Sequence, residues 1–271
     1  MVGRQASSPS WLTRSGRAGP LLGTVVTVDS PEVSEALACC GLDWLLIDME
    51  HAPTLDAGRV QRIIQAIPPS CRTVVRVPAN DGSWIGMALD TGCDGVLIPN
   101  VETPADAVRA VSAAKYPLAG RRRVGVARAH GYGTRFDEYL RTANDPIAVI
   151  VQVEDEAAVD NTDGILAVPG VAAAFVVPSG LSDSMGWPGT PDHRAVIAAI
   201  DHVRVRCREA GVPIGVFAPD PTAAVEQTDR GVDLLAVGTD LTLLTDSVHA
   251  ALAQLRGPSD RLPLVEPRRA Y

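Results

Sequence analysis

The chain has 271 residues, 46% of them hydrophobic and 21% charged, with 24 basic against 32 acidic residues and a formal charge of −8. Enough apolar side chain is present to bury a core, so wholesale disorder is excluded. The acidic balance lacks the electrostatic footprint of a nucleic-acid binder, and no apolar run approaches the roughly 20 residues of a membrane span.

Residues 1–20 are polar and rich in Arg, Ser and Gly, without an apolar h-region. They read as a loose leader rather than a secretory signal. From Leu22 onward, short apolar runs alternate with amphipathic stretches. The runs occupy 22–28, 44–48, 73–77, 95–99, 148–153, 173–177, 214–218 and 234–237. Their continuous Val, Ile and Leu content suits strands covered on both faces, hence a parallel sheet.

The stretches between them carry helix punctuation. Ser30-Pro31, Asp81, Thr103-Pro104 and Asp220-Pro221 are start signals. Gly41, Gly92, Gly211 and Gly231 are stop signals. Strands alternating with helices at this length predict one α/β domain, a (β/α)8 TIM barrel over 21–256, followed by a C-terminal arm at 257–271. An open doubly wound sheet is the runner-up, but no GxGxxG follows the first run. The longest irregular stretch, 116–146, is Arg- and Gly-rich and reads as a functional or interfacial loop. Within it, Arg121, Arg122 and Arg123 form a basic turn, either solvated or interfacial, and His130 lies within possible reach of a site.

Five cysteines, Cys39, Cys40, Cys71, Cys93 and Cys207, show no metal-type spacing. They are expected to be reduced core thiols of a cytoplasmic protein. Among the basic residues Lys115 is the single lysine. It sits where a helix ends, a position suited to binding carbonyls, so no Schiff-base lysine is expected.

Polar residues gather at the ends of the apolar runs, the face on which such barrels carry chemistry. Asp48, Glu50 and His51 are the densest group. Strand alternation puts Asp48 and Glu50 on one side, and an Asp beside a His tunes a general base; a salt-bridging or capping cluster is the alternative. Arg76 lies inside an apolar run, where a charge needs a partner. It reads either as a holder of a carboxylate or enolate or as half of a buried ion pair. Gln152 and Glu154 share a strand face. Glu154 suits a hard divalent cation, or else the first turn of a following helix.

In this order, Gly41-Leu42-Asp43-Trp44-Leu45-Leu46-Ile47-Asp48-Met49-Glu50-His51-Ala52-Pro53, Val74-Val75-Arg76-Val77-Pro78, Lys115-Tyr116-Pro117, Val151-Gln152-Val153-Glu154, Leu181-Ser182 with Met185-Gly186, and Val237-Gly238-Thr239-Asp240-Leu241 resemble the HpcH/HpaI aldolase family of metal-dependent class II pyruvate aldolases. The resemblance implies aldol or retro-aldol cleavage of 4-hydroxy-2-oxo acids through a pyruvate-type enolate. It implies His51 with Asp48 as the acid/base pair and Arg76 on the enolate oxygen. Gln152 would support the site, and the backbone amides around Ser179 and Gly180 would receive the carboxylate. A divalent metal (Mg²⁺, Mn²⁺ or Co²⁺) would rest on Glu154. A homo-oligomer, trimer or hexamer, with an exchanged C-terminal helix is also implied.

The sixth run departs from the family pattern Gly-Pro-x-Asp-Leu-Ser. Here it reads Val177-Pro178-Ser179-Gly180-Leu181-Ser182, so Gly180 stands where the second metal ligand belongs, and Asp183 is the nearest substitute. The departure leaves a second expectation open, a repurposed barrel acting on another anionic 2-oxo or carboxylate substrate without metal.

Overall fold

A computed structural model describes residues 9–12 and 19–255. Eight parallel strands close in chain order into a barrel. They are β1 (Leu21–Val26), β2 (Trp44–Asp48), β3 (Arg72–Arg76), β4 (Gly95–Ile98), β5 (Ala148–Val153), β6 (Ala173–Val176), β7 (Ile214–Ala218) and β8 (Leu234–Thr239). The helices are α1 (Pro31–Cys39), α2 (Ala57–Ala66), α3 (Gly82–Asp90), α4 (Pro104–Ala114), α5 (Phe136–Thr142), α6 (Glu156–Asp160), α7 (Thr162–Leu166), α8 (Pro178–Ser184), α9 (Arg194–Ala210), α10 (Pro221–Asp229) and α11 (Asp240–Leu255). This is the expected single-domain (β/α)8 architecture.

The start signals act as caps. Ser30 Oγ accepts the Val33 N–H, Asp81 the Ser83 N–H and Asp220 the Ala223 N–H, while Thr103 and Asp106 close a reciprocal capping box. The first strand stops two residues short of expectation. The Asp240 carboxylate takes the N–H groups of Thr27 and Val28, both at 2.9 Å, and so turns the chain out of the sheet.

Strand side chains divide by the period of two. Outward residues such as Leu45, Ile47, Val75 and Val96 pack under the helices. Inward residues, among them Val25, Trp44, Leu46, Val74, Leu97, Ile150, Phe175 and Phe217, fill the lumen. Trp44 and Phe175 meet edge to face at 6.0 Å. Gly23 makes room for Trp44, since a Cβ there would lie 2.6 Å from the indole. Burying such side chains stabilises the fold by about 1.5–3 kcal/mol each. The filled lumen leaves only the C-terminal mouth for polar chemistry.

Leu12, in a short 3-10 turn at Ser10–Leu12, is buried in the lumen cluster. The part of the expected loose leader that the structure describes is therefore packed against the barrel. Residues 1–8, 13–18 and the 257–271 arm lie outside the described residues.

The stretch 116–146 is not structureless. It contains a 3-10 turn at Arg128–His130 and helix α5. His130 does not reach the mouth: it is buried between Phe136 and Tyr139, bonded to the backbone of Gly125, Ala127 and Gly133. The basic turn is likewise divided. Arg121 and Arg123 are exposed. Arg122 is buried, paired with Asp90 at 2.7 Å and lying 4.5 Å over the Tyr116 ring.

Two of the five cysteines correct the expectation of core thiols. Cys39 and Cys40, at the end of α1, are exposed; Cys71, Cys93 and Cys207 are buried. The inward residues of α1 are Ser34 and Ala38, which leaves the helix end facing solvent. Among the described residues no helix is long and apolar enough to cross a membrane.

Candidate active site

The parity that sends Trp44 and Leu46 inward also sends Asp48 inward, and with Val74 comes Arg76. Asp48 and Arg76 are register partners on adjacent strands. Arg76 Nε and Nη2 donate to the two Asp48 oxygens at 2.9 and 2.7 Å. Both side chains are almost wholly buried. Asp48 Oδ1 also accepts the N–H groups of Glu50 and His51, at 2.9 and 3.2 Å. One carboxylate thus holds the guanidinium and folds the turn that presents the next two functional side chains. Asp48 is spent on Arg76 and the backbone, while Glu50 Oε2 lies 3.6 Å from His51 Nε2.

Across the mouth, Gln152 Nε2 donates to Glu154 Oε2 at 2.6 Å and lies 3.4 Å from Glu50 Oε2. Glu154 Oε1 accepts the Asn100 N–H at 3.1 Å. Asn100 holds a left-handed conformation, φ 55°, which Asn tolerates better than most residues. This contact was missed from sequence; the one available signal was Asn directly after a strand. Among the described residues, Gln152 Oε1 is buried and accepts no hydrogen bond. Asp155, not Glu154, is the N-cap residue of α6.

Three carboxyl groups here face one guanidinium. Burial raises the Glu50 pKa above the ordinary carboxylate value; Arg76 opposes this, and Glu154 adds to it. Burial would lower the Arg76 pKa, but the hydrogen bonds and charge of Asp48, with Glu50 and Glu154, outweigh it and hold the guanidinium charged. Among the described residues Arg76 Nη1 makes no hydrogen bond, whereas Nε and Nη2 are committed.

Ser179 and Gly180 fall in the first turn of α8, where N–H groups lack intrahelical acceptors. A Cβ at Gly180 would stand 3.1 Å from Glu154 Cβ and 3.5 Å from its Oε2. A side chain at 180 would therefore face Glu154 across the mouth, and Gly180 supplies none. Asp183 does not fill the gap: it is exposed, and its Oδ1 accepts the Gly189 N–H at 3.2 Å. Among the described residues no group of three or more His, Cys, Asp or Glu is arranged to hold a metal ion. Glu50 is engaged by Arg76 at 3.3 Å. A resident divalent cation is thus offered one carboxylate, Glu154, and these residues do not fit a pre-formed cation site.

Lys115 illustrates how a shifted pKa can mislead. Burial lowers it to about 8. Yet Nζ donates to the carbonyls of Asn144 and Ile147, just before β5 starts. That is the end of the barrel opposite the mouth, and Lys115 serves to tie α4 to β5.

The structure brings Asp48, Glu50, His51, Arg76, Gln152 and Glu154 to one mouth, brings Gly180 beside Glu154 with Ser179 preceding it in α8, and leaves Asp183 outside. An eight-stranded barrel with an arginine–carboxylate clamp and a histidine at the C-terminal mouth belongs to the class in which strand-end residues act on small molecules. The model of the HpcH/HpaI aldolase/citrate lyase family matches residues 22–247, and the chain belongs to that family. It is 37% identical to a hydroxypyruvate/pyruvate aldolase of Paraburkholderia phytofirmans, over 90% of this chain and 96% of the relative. It is 39% identical to a 4-hydroxy-2-oxo-heptane-1,7-dioate aldolase of Shigella flexneri, over 91% and 92%. A crystal structure of a family protein from Burkholderia cenocepacia superposes with a TM-score of 0.85 at 38% identity, covering 89% of this chain and 96% of that one.

Proposed function

We propose that the protein is a carbon–carbon lyase that splits 4-hydroxy-2-oxo acids into pyruvate, or a related 2-oxo acid, and an aldehyde. The observation that carries the reading is the Arg76 guanidinium. Asp48 clamps it on Nε and Nη2, and Glu50, which lies 3.6 Å from His51 Nε2, stands 3.3 Å from its Nε. The aldolase names of the relatives point the same way.

The His51 imidazole takes the proton of the substrate's C4 hydroxyl. The C3–C4 bond breaks, the aldehyde leaves, and the electron pair remains as the enolate of the 2-oxo acid. Arg76 Nη1 donates to the enolate oxygen, where negative charge develops. The amides of Ser179 and Gly180 receive the substrate carboxylate. His51 returns the proton to C3, which completes the 2-oxo acid. Asp48 is the positioning residue: it fixes the guanidinium and the turn carrying His51.

The test is pyruvate release from 4-hydroxy-2-oxopentanoate and its longer homologues, read by NADH oxidation with lactate dehydrogenase and with Mg²⁺, Mn²⁺ or Co²⁺ supplied. Pyruvate and aldehyde in equal amounts support the reading. A folded protein that releases neither from any chain length refutes it. It would favour the second reading, a repurposed barrel acting on another anionic 2-oxo or carboxylate substrate, for which Gly180 opposite Glu154 is the specific observation.

The reading includes a homo-oligomer, trimer or hexamer, with α11 exchanged between subunits. Of its 16 residues only Asp240 is buried. Leu244 and Leu255 are 61% and 83% exposed, and Leu241 and Val248 are exposed beside them. An apolar helix of this length standing off its own barrel fits cover by another copy. Light scattering after size exclusion distinguishes this from a monomer.

A further inference from the structure

We infer that the groove between α3 and α4 is a second binding site, which takes an organic diphosphate with its diphosphate on Arg121 and Arg123. The site lies outside the catalytic mouth and does not depend on the lyase reading.

The two helices make the groove. A face of α3 with Gly82, Gly86 and Met87 meets a face of α4 with Val108, Arg109 and Ala113, and they bound about 870 Å³. That is the size of a small-molecule site. Glycine inside a helix weakens it, and here it leaves room: a Cβ at Gly86 would meet nothing within 4 Å. Met87 and Val108 are exposed on the two walls and offer apolar surface to the body of a ligand.

The end of the groove is basic. The turn of Arg121, Arg122 and Arg123 closes it where α3 and α4 end. That turn is seated on α4. The Arg121 N–H donates to the Ser112 carbonyl at 2.6 Å and the Arg122 N–H to the Lys115 carbonyl at 2.9 Å. A Cβ at Gly120 would collide with both of those carbonyls, so glycine lets the turn settle there. The Arg122 side chain is buried, holds Asp90 and lies over the Tyr116 ring. Its Nε is buried without an acceptor among the described residues. A buried donor left unmade is costly, and it marks this end of the groove as short of acceptors.

Charge selects the ligand. Arg109, Arg121, Arg122 and Arg123 line the groove against two carboxylates, Asp81 and Asp90, on a chain whose formal charge is −8. Asp90 is committed to Arg122, Asp106 holds Arg109 at 2.8 Å, and Asp81 caps α3 at the far end. Arg121 and Arg123 are exposed, and among the described residues their side chains make no hydrogen bond or ion pair. Their Cα atoms are at most about 7 Å apart, so two guanidinium forks suit two anionic centres side by side. Each fork matches phosphate oxygens two at a time. A diphosphate supplies two such centres, and a single carboxylate supplies one. A second copy presenting the same groove would set arginine against arginine.

The experiment is isothermal titration calorimetry of the purified full-length protein at low salt, with ADP, inorganic pyrophosphate and adenosine as probes. ADP should bind with a Kd below about 1 mM, pyrophosphate more weakly, and adenosine not measurably. Arg121→Ser and Arg123→Ser should each weaken ADP at least about tenfold, as loss of a charge-assisted hydrogen bond does. Arg194→Ser, at an exposed arginine on α9, should not. Gly86→Leu fills the groove. It should remove the advantage of ADP over pyrophosphate and leave pyrophosphate binding as in the native chain. The two serine variants change exposed side chains and keep the test open should Gly86→Leu not fold.

A native chain that binds neither ADP nor pyrophosphate overturns the inference. So does pyrophosphate binding as tightly as ADP, since the groove then holds no organic body. ADP binding that Arg194→Ser weakens as much as Arg121→Ser is nonspecific attraction and overturns it too. If no probe binds and Arg123→Ser or Gly86→Leu lowers the mass found by light scattering, the face is a contact between copies of this chain, and the inference falls.

Discussion

The Asp48→Asn substitution tests whether the mouth is held together by its buried ion pair. The change keeps the side-chain shape. The remaining carbonyl oxygen can still accept the Glu50 and His51 N–H groups that Asp48 Oδ1 holds at 2.9 and 3.2 Å. What disappears is the charge opposite Arg76, and an amide NH₂ or oxygen now meets two guanidinium donors. Both residues are almost fully buried, so Arg76 loses its two-point partner and keeps only the charges of Glu50, 3.3 Å from Nε, and Glu154; breaking a buried pair costs about 3–5 kcal/mol. For a domain of this size each kcal/mol moves the melting temperature by about 2–4 °C, which corresponds to a fall of roughly 6–20 °C. Removing both charges, as Asp48→Leu with Arg76→Met, should recover most of that loss, because a buried pair replaced by apolar residues is often neutral. Urea unfolding followed by circular dichroism, at one fixed protein concentration, measures Asp48→Asn, the double variant and its singles Asp48→Leu and Arg76→Met against the native chain. A loss below about 1 kcal/mol for Asp48→Asn, or a double variant as unstable as the sum of its singles, refutes the view that charge pairing governs this site.

His51→Ala should leave the melting temperature near native, since the side chain is 55% exposed. It should lower kcat for pyruvate release by about 10²–10⁴-fold, the usual worth of a general base; a loss under about tenfold would remove His51 from that role. Burial raises the Glu50 pKa, so the acid's contribution to stability is full below the ordinary carboxylate pKa and fades as pH rises through the folded value. Glu50→Gln should therefore gain stability relative to native as pH climbs from 4 to 7, and a thermal-shift difference flat or falling over that range contradicts the shift. Two thiols per chain, Cys39 and Cys40, should react quickly with Ellman's reagent in the folded protein. Cys71, pushed up to about 11, and Cys93 and Cys207, pushed up to about 12, should react only after unfolding.

Much of this molecule is legible before folding. Eight Val-, Ile- and Leu-rich runs separated by capped helical stretches leave little room for any architecture but the closed parallel barrel, because strands covered on both faces need helices between them. The period of two then places Asp48, Arg76, Gln152 and Glu154 inside, and their location at strand ends places them at one mouth. Gly180 stands out only against the pattern of the family that the chain resembles. Tertiary structure alone decided who pairs with whom. Asp48 lies three residues from His51 but bonds Arg76 on the next strand, because sheet register sets the two side by side in a buried space where an unpaired guanidinium is costly. His130, within possible reach of a site in a linear reading, and Arg122, read there as solvated or interfacial, prove to be internal ties of the scaffold, and Lys115 binds carbonyls as its place at a helix end suggests. Burial and long-range partners, which local pattern does not encode, separate a residue that holds the fold from one that meets a substrate.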